Sequence, residues 1–385
     1  MDRAAALAPL LSAAAPGNDA ARRLSDEVVA ALHEARLFRL LLPRVLGGGE
    51  GTPTDYVRVV ETVAQADAST GWVLSQTLVA GIAAFYLAPE AAAEIFTPAD
   101  AVLAWGSAPG PVRAVAVEGG YRVSGTWTFS SGCRQATWLG AHCPIVDRTG
   151  APAIEADGRP AERTMLFPRA SVPLVDRWHV LGLRGTASDG YVLDDLFVPA
   201  AHSITSMYRW PDTERQGLGV ACRFHATGLY APGTAAVAIG NARGLLAATI
   251  DLARRKTART AAAALCDSEI VQTTVAEAAT RLDASWSFLL DTLREAEAVA
   301  LREGGLPLEA RMRLRAASTF AITGAGDAVS ALYRLAGSTA IFEADVFERR
   351  LRDAFTLSQQ IQSRANHYAT VGRYLLGLDV DARWV

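Results

Sequence analysis

The run Trp127–Thr128–Phe129–Ser130–Ser131–Gly132 places two hydroxyls and a glycine just after a strand signal at Tyr121–Val123. A hydroxyl there either caps its own turn or offers a hydrogen bond to a bound group. A second run, Leu181–Gly182–Leu183–Arg184–Gly185–Thr186–Ala187–Ser188, leads into Val192–Leu193–Asp194–Asp195–Leu196–Phe197–Val198–Pro199. Cations gather at Arg254, Arg255 and Lys256, with Arg259 one helical turn on. Lys256 is the only lysine, so its retention among so many arginines is conspicuous. The run reads either as a solvated helix end or as a contact to phosphate. Trp72 and Trp105 serve as core or as walls of a pocket. Trp138 and Trp178 read as packing in the β region. Of the six histidines, His33, His142, His179 and His202 have no constellation around them and read as structural.

Several chemistries are excluded. No GxGxxG opens a helix and no P-loop is present, so Rossmann and NTPase readings fail. With 40 acidic and 37 basic residues the formal net charge is −3, which argues against a general nucleic-acid binder. Cys133, Cys143, Cys222 and Cys266 form no CxxC pair and have no zinc spacing; they read as buried thiols, and no metal is expected. Asp2 sits where a signal peptide needs a cation, so Leu7–Ala15 reads as part of an amphipathic helix. No apolar run approaches the ~18 residues of a membrane span. A soluble, cytoplasmic protein with no membrane partner is expected.

The elements that must position these residues come in three blocks. Apolar spacing predicts helices over Ser25–Leu41, Asp55–Ala66 and Thr70–Leu87, the last buried. Short strands follow at Ala114–Val117, Tyr121–Val123, Thr164–Phe167 and Gly190–Val198. Four long helices close the chain, at Thr234–Thr257, Asp267–Glu303, Leu308–Ala336 and Phe347–Leu376, the pattern of an antiparallel four-helix bundle. The fold class is mainly α with a central β domain, divided as 1–100, 101–212 and 213–385.

This order and four motifs resemble the acyl-CoA dehydrogenase superfamily over nearly the whole chain. The motifs are the two runs above, Gly240 with the helix ending Arg255–Lys256–Thr257–Ala258–Arg259, and Glu348–Arg349–Arg350–Leu351–Arg352–Asp353. Phe-Ser-Ser-Gly resembles the superfamily's flavin-dependent, two-component monooxygenase branch. The resemblance implies an N-terminal helical domain, a middle β-barrel or sandwich domain, a C-terminal four-helix bundle and a homotetramer. It implies reduced flavin, FMNH2 or FADH2, diffusing from a separate reductase. Through a flavin C4a-hydroperoxide, O2 then oxygenates an aromatic, polycyclic or amine small molecule.

By the same resemblance Ser131 sits at flavin N5, with Phe129, Ser130, Thr186 and Ser188 also at the cofactor. Lys256 and Arg259 take the flavin phosphate. Trp72, Trp105, His225 and Tyr230 line the substrate pocket. The branch usually carries a histidine where Gln360 stands here. His367, two helical turns further along the expected helix and so about 10 Å away, is the candidate substitute. The Arg-Asp motif reads as a structural network. The two family positions for a dehydrogenase base fall on Gln359–Ser363 and Tyr230, without a carboxylate. Removing an α-proton needs a positioned base, so ordinary acyl-CoA dehydrogenation is disfavoured. An FAD-linked dehydrogenase with a non-standard base and a degenerate flavin- or metabolite-binding member stand as alternatives.

Overall fold

In the computed structural model, residues 1–155, 158–205, 219–224, 226–257 and 263–382 are described. The chain begins with helices α1 (Asp2–Ala6), α2 (Ala8–Ala21) and α3 (Asp26–Glu34). Ser25 caps α3 by accepting the Val28 N–H. The helix expected over Ser25–Leu41 stops early: Arg36 takes a left-handed φ of 58°, and a 3-10 turn carries Leu37–Arg39. In α4 (Pro53–Ala66) a Thr52/Asp55 capping box and Pro53 fix the start. Asp67 ends α4 and caps α5 (Ala68–Gly81), bonding both the N–H and the hydroxyl of Thr70. A 3-10 turn over Ile82–Phe85 ends the expected Thr70–Leu87 helix, and α6 (Pro89–Phe96) follows.

Among the described residues, eight strands form one connected set: β1 (Leu103–Trp105), β2 (Arg113–Val117), β3 (Gly120–Ser130), β4 (Trp138–Val146), β5 (Glu162–Pro168), β6 (Leu174–Val175), β7 (Asp189–Pro199) and β8 (Ser203–Thr205). Their order is β6-β7-β3-β2-β4-β5-β8, with β1 parallel to β4. The long β3–β7 ladder is antiparallel, and Trp127 and Tyr191 stack within it, wholly buried. The expected boundary at 212/213 lies outside the described residues.

The C-terminal region holds α7 (Ala226–Arg255), α8 (Glu269–Glu303), α9 (Leu308–Ala336), α10 (Val346–Ser358) and α11 (Asn366–Leu375). Here α7 begins eight residues before the expected start and runs through Pro232. Burial of Leu229, Ala231, Pro232 and Gly233 outweighs one missing helical bond. Ala68–Phe85 and Ala226–Arg255 are each long and apolar enough for a membrane span, contrary to the sequence expectation. Both lie largely inside the protein and serve as core helices.

The expected fourth long helix, Phe347–Leu376, is broken. It becomes α10, a 3-10 turn over Ile361–Ser363, and α11. Polar side chains cause the break by satisfying backbone groups locally. Gln360 Oε1 accepts the Gln362 N–H at 2.6 Å, and Ser363 Oγ donates to Leu357 O at 2.8 Å.

Candidate active site

The site begins with a defect in the β3–β7 ladder. Trp127 pairs with Tyr191 and Ser130 with Asp189, so three steps on β3 match two on β7. The extra residue makes a bulge. Gly190 permits it, since a Cβ there would lie 2.7 Å from Trp127 O. The bulge puts Phe129 at a φ of 59° and turns its ring out, leaving the residue 61% exposed. Ser131, two residues on, is turned in and buried.

Buried polar groups from three parts of the chain meet at Ser131. Trp72 Nε1–H, from α5, donates to Ser131 Oγ at 2.9 Å. Ser131 Oγ lies 2.7 Å from Ser188 Oγ, which lies 2.7 Å from Thr186 Oγ1. Thr186 in turn donates to Leu183 O at 2.8 Å. That carbonyl also accepts Trp178 Nε1–H at 2.9 Å, and Leu183 N–H donates to Asp353 Oδ1 of α10 at 2.6 Å. The two motif runs and the Arg-Asp motif thus form one polar chain. Trp72, expected as a pocket wall, is buried with its indole N–H spent on Ser131.

Asp353, expected only as part of the structural Arg-Asp network, is the link to the hydroxyl chain. Burial raises its pKa to about 7; the Leu183 N–H and Arg349 lower it, while Asp67 and Asp19 push it up. A carboxyl raised in the folded state stays protonated while the unfolded chain ionises. Its contribution is therefore most favourable below about pH 4 and is lost as pH rises to about 7. Asp353→Asn keeps the oxygen that accepts Leu183 N–H. Urea denaturation from pH 4 to 8 is expected to show a flatter stability profile than wild type, with a gain at pH 7.5. Superimposable profiles would assign the proton elsewhere.

A second cluster adjoins the first. Trp105 Nε1–H donates to Tyr230 OH at 2.8 Å, so two expected pocket residues do meet. The His142 ring packs edge-on to Trp105 with centroids 4.9 Å apart. Its Nδ1 lies 2.7 Å from Thr164 Oγ1, and burial drives its pKa down to about 4, so the ring is neutral near pH 7. His142 had read as an isolated structural histidine; cross-strand neighbours, invisible to local spacing, bring it here. Ser107, two residues after Trp105, pairs with Thr128 in both directions. That pairing joins this aromatic cluster to the Phe129–Ser131 turn.

The remaining expectations fare differently. Gln360 is half-buried, and its side-chain oxygen is engaged by its own turn. The helix break removes the shared face expected for Gln360 and His367. His367 Nε2–H donates to Ile361 O at 2.7 Å, which ties α11 to the preceding turn; burial lowers the pKa of its ring. Lys256 Nζ donates to Ala336 O at 2.9 Å and Thr339 Oγ1 at 2.7 Å, capping the end of α9 instead of standing open for phosphate. Arg259 and His225 lie outside the described residues.

The Arg-Asp motif is the network that the sequence suggested. Arg352 bridges Glu348, Asp19 and Leu181 O, and Arg350 reaches Asn241 and the end of α4. Among the described residues, no group of three or more His, Cys, Asp or Glu side chains could hold a metal ion.

A flavin ring needs polar partners along one edge and apolar surface elsewhere. Ser131 supplies a polar oxygen, and Phe129, two residues earlier in the same turn, supplies an exposed ring, so this turn fits the flavin ring. Lys256, engaged with α9, does not fit the phosphate end in the same way.

Comparison with known proteins identifies relatives over nearly the whole chain. Residues 233–364 match the family model described as acyl-CoA dehydrogenase, C-terminal domain. The chain is 31% identical to the oxygenase component of an FADH2-dependent resorcinol hydroxylase from Rhizobium sp. (strain MTP-10005), over 99% of this chain and 95% of that one. It is 32% identical to the oxygenase subunit HsaA, a flavin-dependent monooxygenase of Rhodococcus jostii (strain RHA1), over 92% of each. The crystal structure of 3-HSA hydroxylase from Rhodococcus sp. RHA1 superposes with a TM-score of 0.90 at 28% identity, covering 100% of this chain and 98% of that one.

Proposed function

The chain belongs to the flavin-dependent monooxygenase branch of the acyl-CoA dehydrogenase superfamily, and from that premise we propose that it is an oxygenase component that hydroxylates an aromatic small molecule. Reduced flavin comes from a separate reductase. FADH2 is preferred over FMNH2, because the resorcinol hydroxylase relative is FADH2-dependent. One oxygen atom of O2 enters the substrate and the other leaves as water, with the two electrons supplied by the flavin.

The observation that carries this reading is the buried Ser131 hydroxyl chain in the turn that follows exposed Phe129, with glutamine and tyrosine where a dehydrogenase needs a carboxylate. Ser131 holds the polar edge of the ring. Trp105, Tyr230 and the neutral His142 supply an aromatic wall that supports an aromatic substrate and keeps water out. Exposed Phe320, Phe342, Phe355, Leu375, Leu376 and Leu378 in the C-terminal region support self-association, which we assign to a homotetramer. Cys133 and Cys143, buried thiols outside any disulfide, support a reducing, cytoplasmic setting.

The test supplies reduced FAD from an unrelated reductase and measures hydroxylated product against hydrogen peroxide. Ser131→Ala removes a polar contact of about 1 kcal/mol, so the product-to-peroxide ratio should fall about fivefold, and the unpaired Trp72 N–H should lower the melting temperature without unfolding the protein. An unchanged ratio would take Ser131 out of the site. Purified protein that stays yellow and bleaches with an acyl-CoA would overturn the oxygenase reading itself.

A further inference from the structure

We infer that Ser188 and Thr186 act as positioning residues that make Ser131 a hydrogen-bond acceptor only, and that this selects reduced over oxidised flavin. The inference rests on the reading above, in which Ser131 faces the N5 edge of the ring.

The argument is one of counting protons. Each hydroxyl has one. Leu183 O can only accept, so the proton of Thr186 is spent there. In the 2.7 Å contact between Thr186 and Ser188, the donor must then be Ser188. With that proton spent, the donor in the 2.7 Å contact between Ser131 and Ser188 must be Ser131. At the other end Trp72 Nε1–H can only donate, and it fills one lone pair of Ser131.

A chain that starts at an N–H and ends at a carbonyl runs in one direction. Its end is also fixed in space. Leu183 donates its N–H to Asp353, and its carbonyl also accepts from Trp178 and from the Thr186 N–H. If Ser131 turned its proton outward, two oxygens would face each other at 2.7 Å without a hydrogen between them. What Ser131 offers the site is therefore its remaining lone pair.

Oxidised flavin presents a bare lone pair at N5, whereas reduced flavin carries an N–H there. An acceptor-only oxygen pairs with the N–H and repels the lone pair. The same serine with a free proton would serve both forms. Selectivity for the reduced form thus resides in Ser188 and Thr186, behind the residue that touches the ring.

Dissociation constants for reduced and oxidised FAD, measured by anaerobic and aerobic titration, test this without turnover. Ser188→Ala removes the acceptor that holds the Ser131 proton. Thr186→Val lets Ser188 turn its proton to Ser131, with the same consequence. In each variant the preference for reduced over oxidised FAD should shrink about fivefold or more, mainly through tighter oxidised binding. Ser188→Thr keeps the hydroxyl and should keep the wild-type ratio. If Ser188→Ala does not fold, Thr186→Val carries the same test.

A second readout uses the flavin-free protein. The 15N-labelled indole signal of Trp72, assigned by its loss in Trp72→Phe, should shift in Ser188→Ala because the two are joined through Ser131. Ratios unchanged in both Ser188→Ala and Thr186→Val, with Ser131→Ala still altering affinity, would overturn the inference and leave the function standing. If Ser131→Ala changes neither dissociation constant, the placement of Ser131 at flavin fails and the inference fails with it. An unmoved Trp72 signal would show that the chain is not connected.

Discussion

Arg350→Ala should cost about 3–5 kcal/mol of stability, the range for removing a buried charge that is bonded to its surroundings. The guanidinium is buried in α10 yet stays cationic, since burial brings its pKa down only to about 10. It donates to Gln65 O at 2.6 Å and Ala66 O at 3.2 Å, two of the last carbonyls of α4. It also reaches Asn241 O at 3.2 Å and Asn241 Oδ1 at 3.3 Å, in α7. One side chain therefore ties α10 to both the N-terminal and C-terminal helices. Alanine leaves these carbonyls without their donor and opens a cavity. Lysine keeps the charge but has no planar fork, so Arg350→Lys should recover less than half the loss. Gly244→Ala attacks the same contact from the other side, since its Cβ would lie 2.3 Å from the guanidinium carbon. The urea midpoint and soluble yield of the three variants check this. An Arg350→Ala protein within about 1 kcal/mol of wild type would mean that the buried cation is not holding the helices together.

What could be read from the chain beforehand divides along the range of the forces involved. The helical–β–helical order was legible because apolar periodicity is local: Leu308–Ala336 begins and ends where the pattern says. The Ser-Ser-Gly turn and the Gly-Leu-Arg-Gly-Thr run were legible as motifs, and Ser131, Thr186 and Ser188 do meet. Their order of donation was not legible, because it is set by Leu183 O at one end and Trp72 at the other. The break after Ser358 was hidden because glutamine and serine also suit a helix; only their bonds to nearby backbone end it. The partner of Lys256 lies 80 residues away at Ala336, beyond any local pattern. His142 gained its neighbours only through pairing of β4 with β1, which brings Trp105, and with β5, which brings Thr164.

Gly182→Ala is the sharpest test of how the site is anchored. A Cβ at Gly182 would fall 2.1 Å from Arg352 O, 2.2 Å from Arg352 C and 2.5 Å from Asp353 N. All three atoms are backbone inside α10, so no side-chain rotation can relieve the clash. The loop must lift from the helix, and its first casualty is the 2.6 Å bond from Leu183 N–H to Asp353. Overpacking and a lost buried bond together should cost at least about 3 kcal/mol. The same movement frees the end of the hydroxyl chain, so the preference for reduced flavin should fall along with stability. Gly185→Ala is the control: its Cβ would meet the Ser69 side chain at 2.9 Å and no backbone atom as closely, a milder strain on the same loop. Melting temperature and the two FAD dissociation constants, measured on both variants, separate the effects. A Gly182→Ala protein that melts and binds like wild type would mean that α10 does not support the loop. The fixed direction of the chain from Trp72 to Leu183 would then lose its anchor.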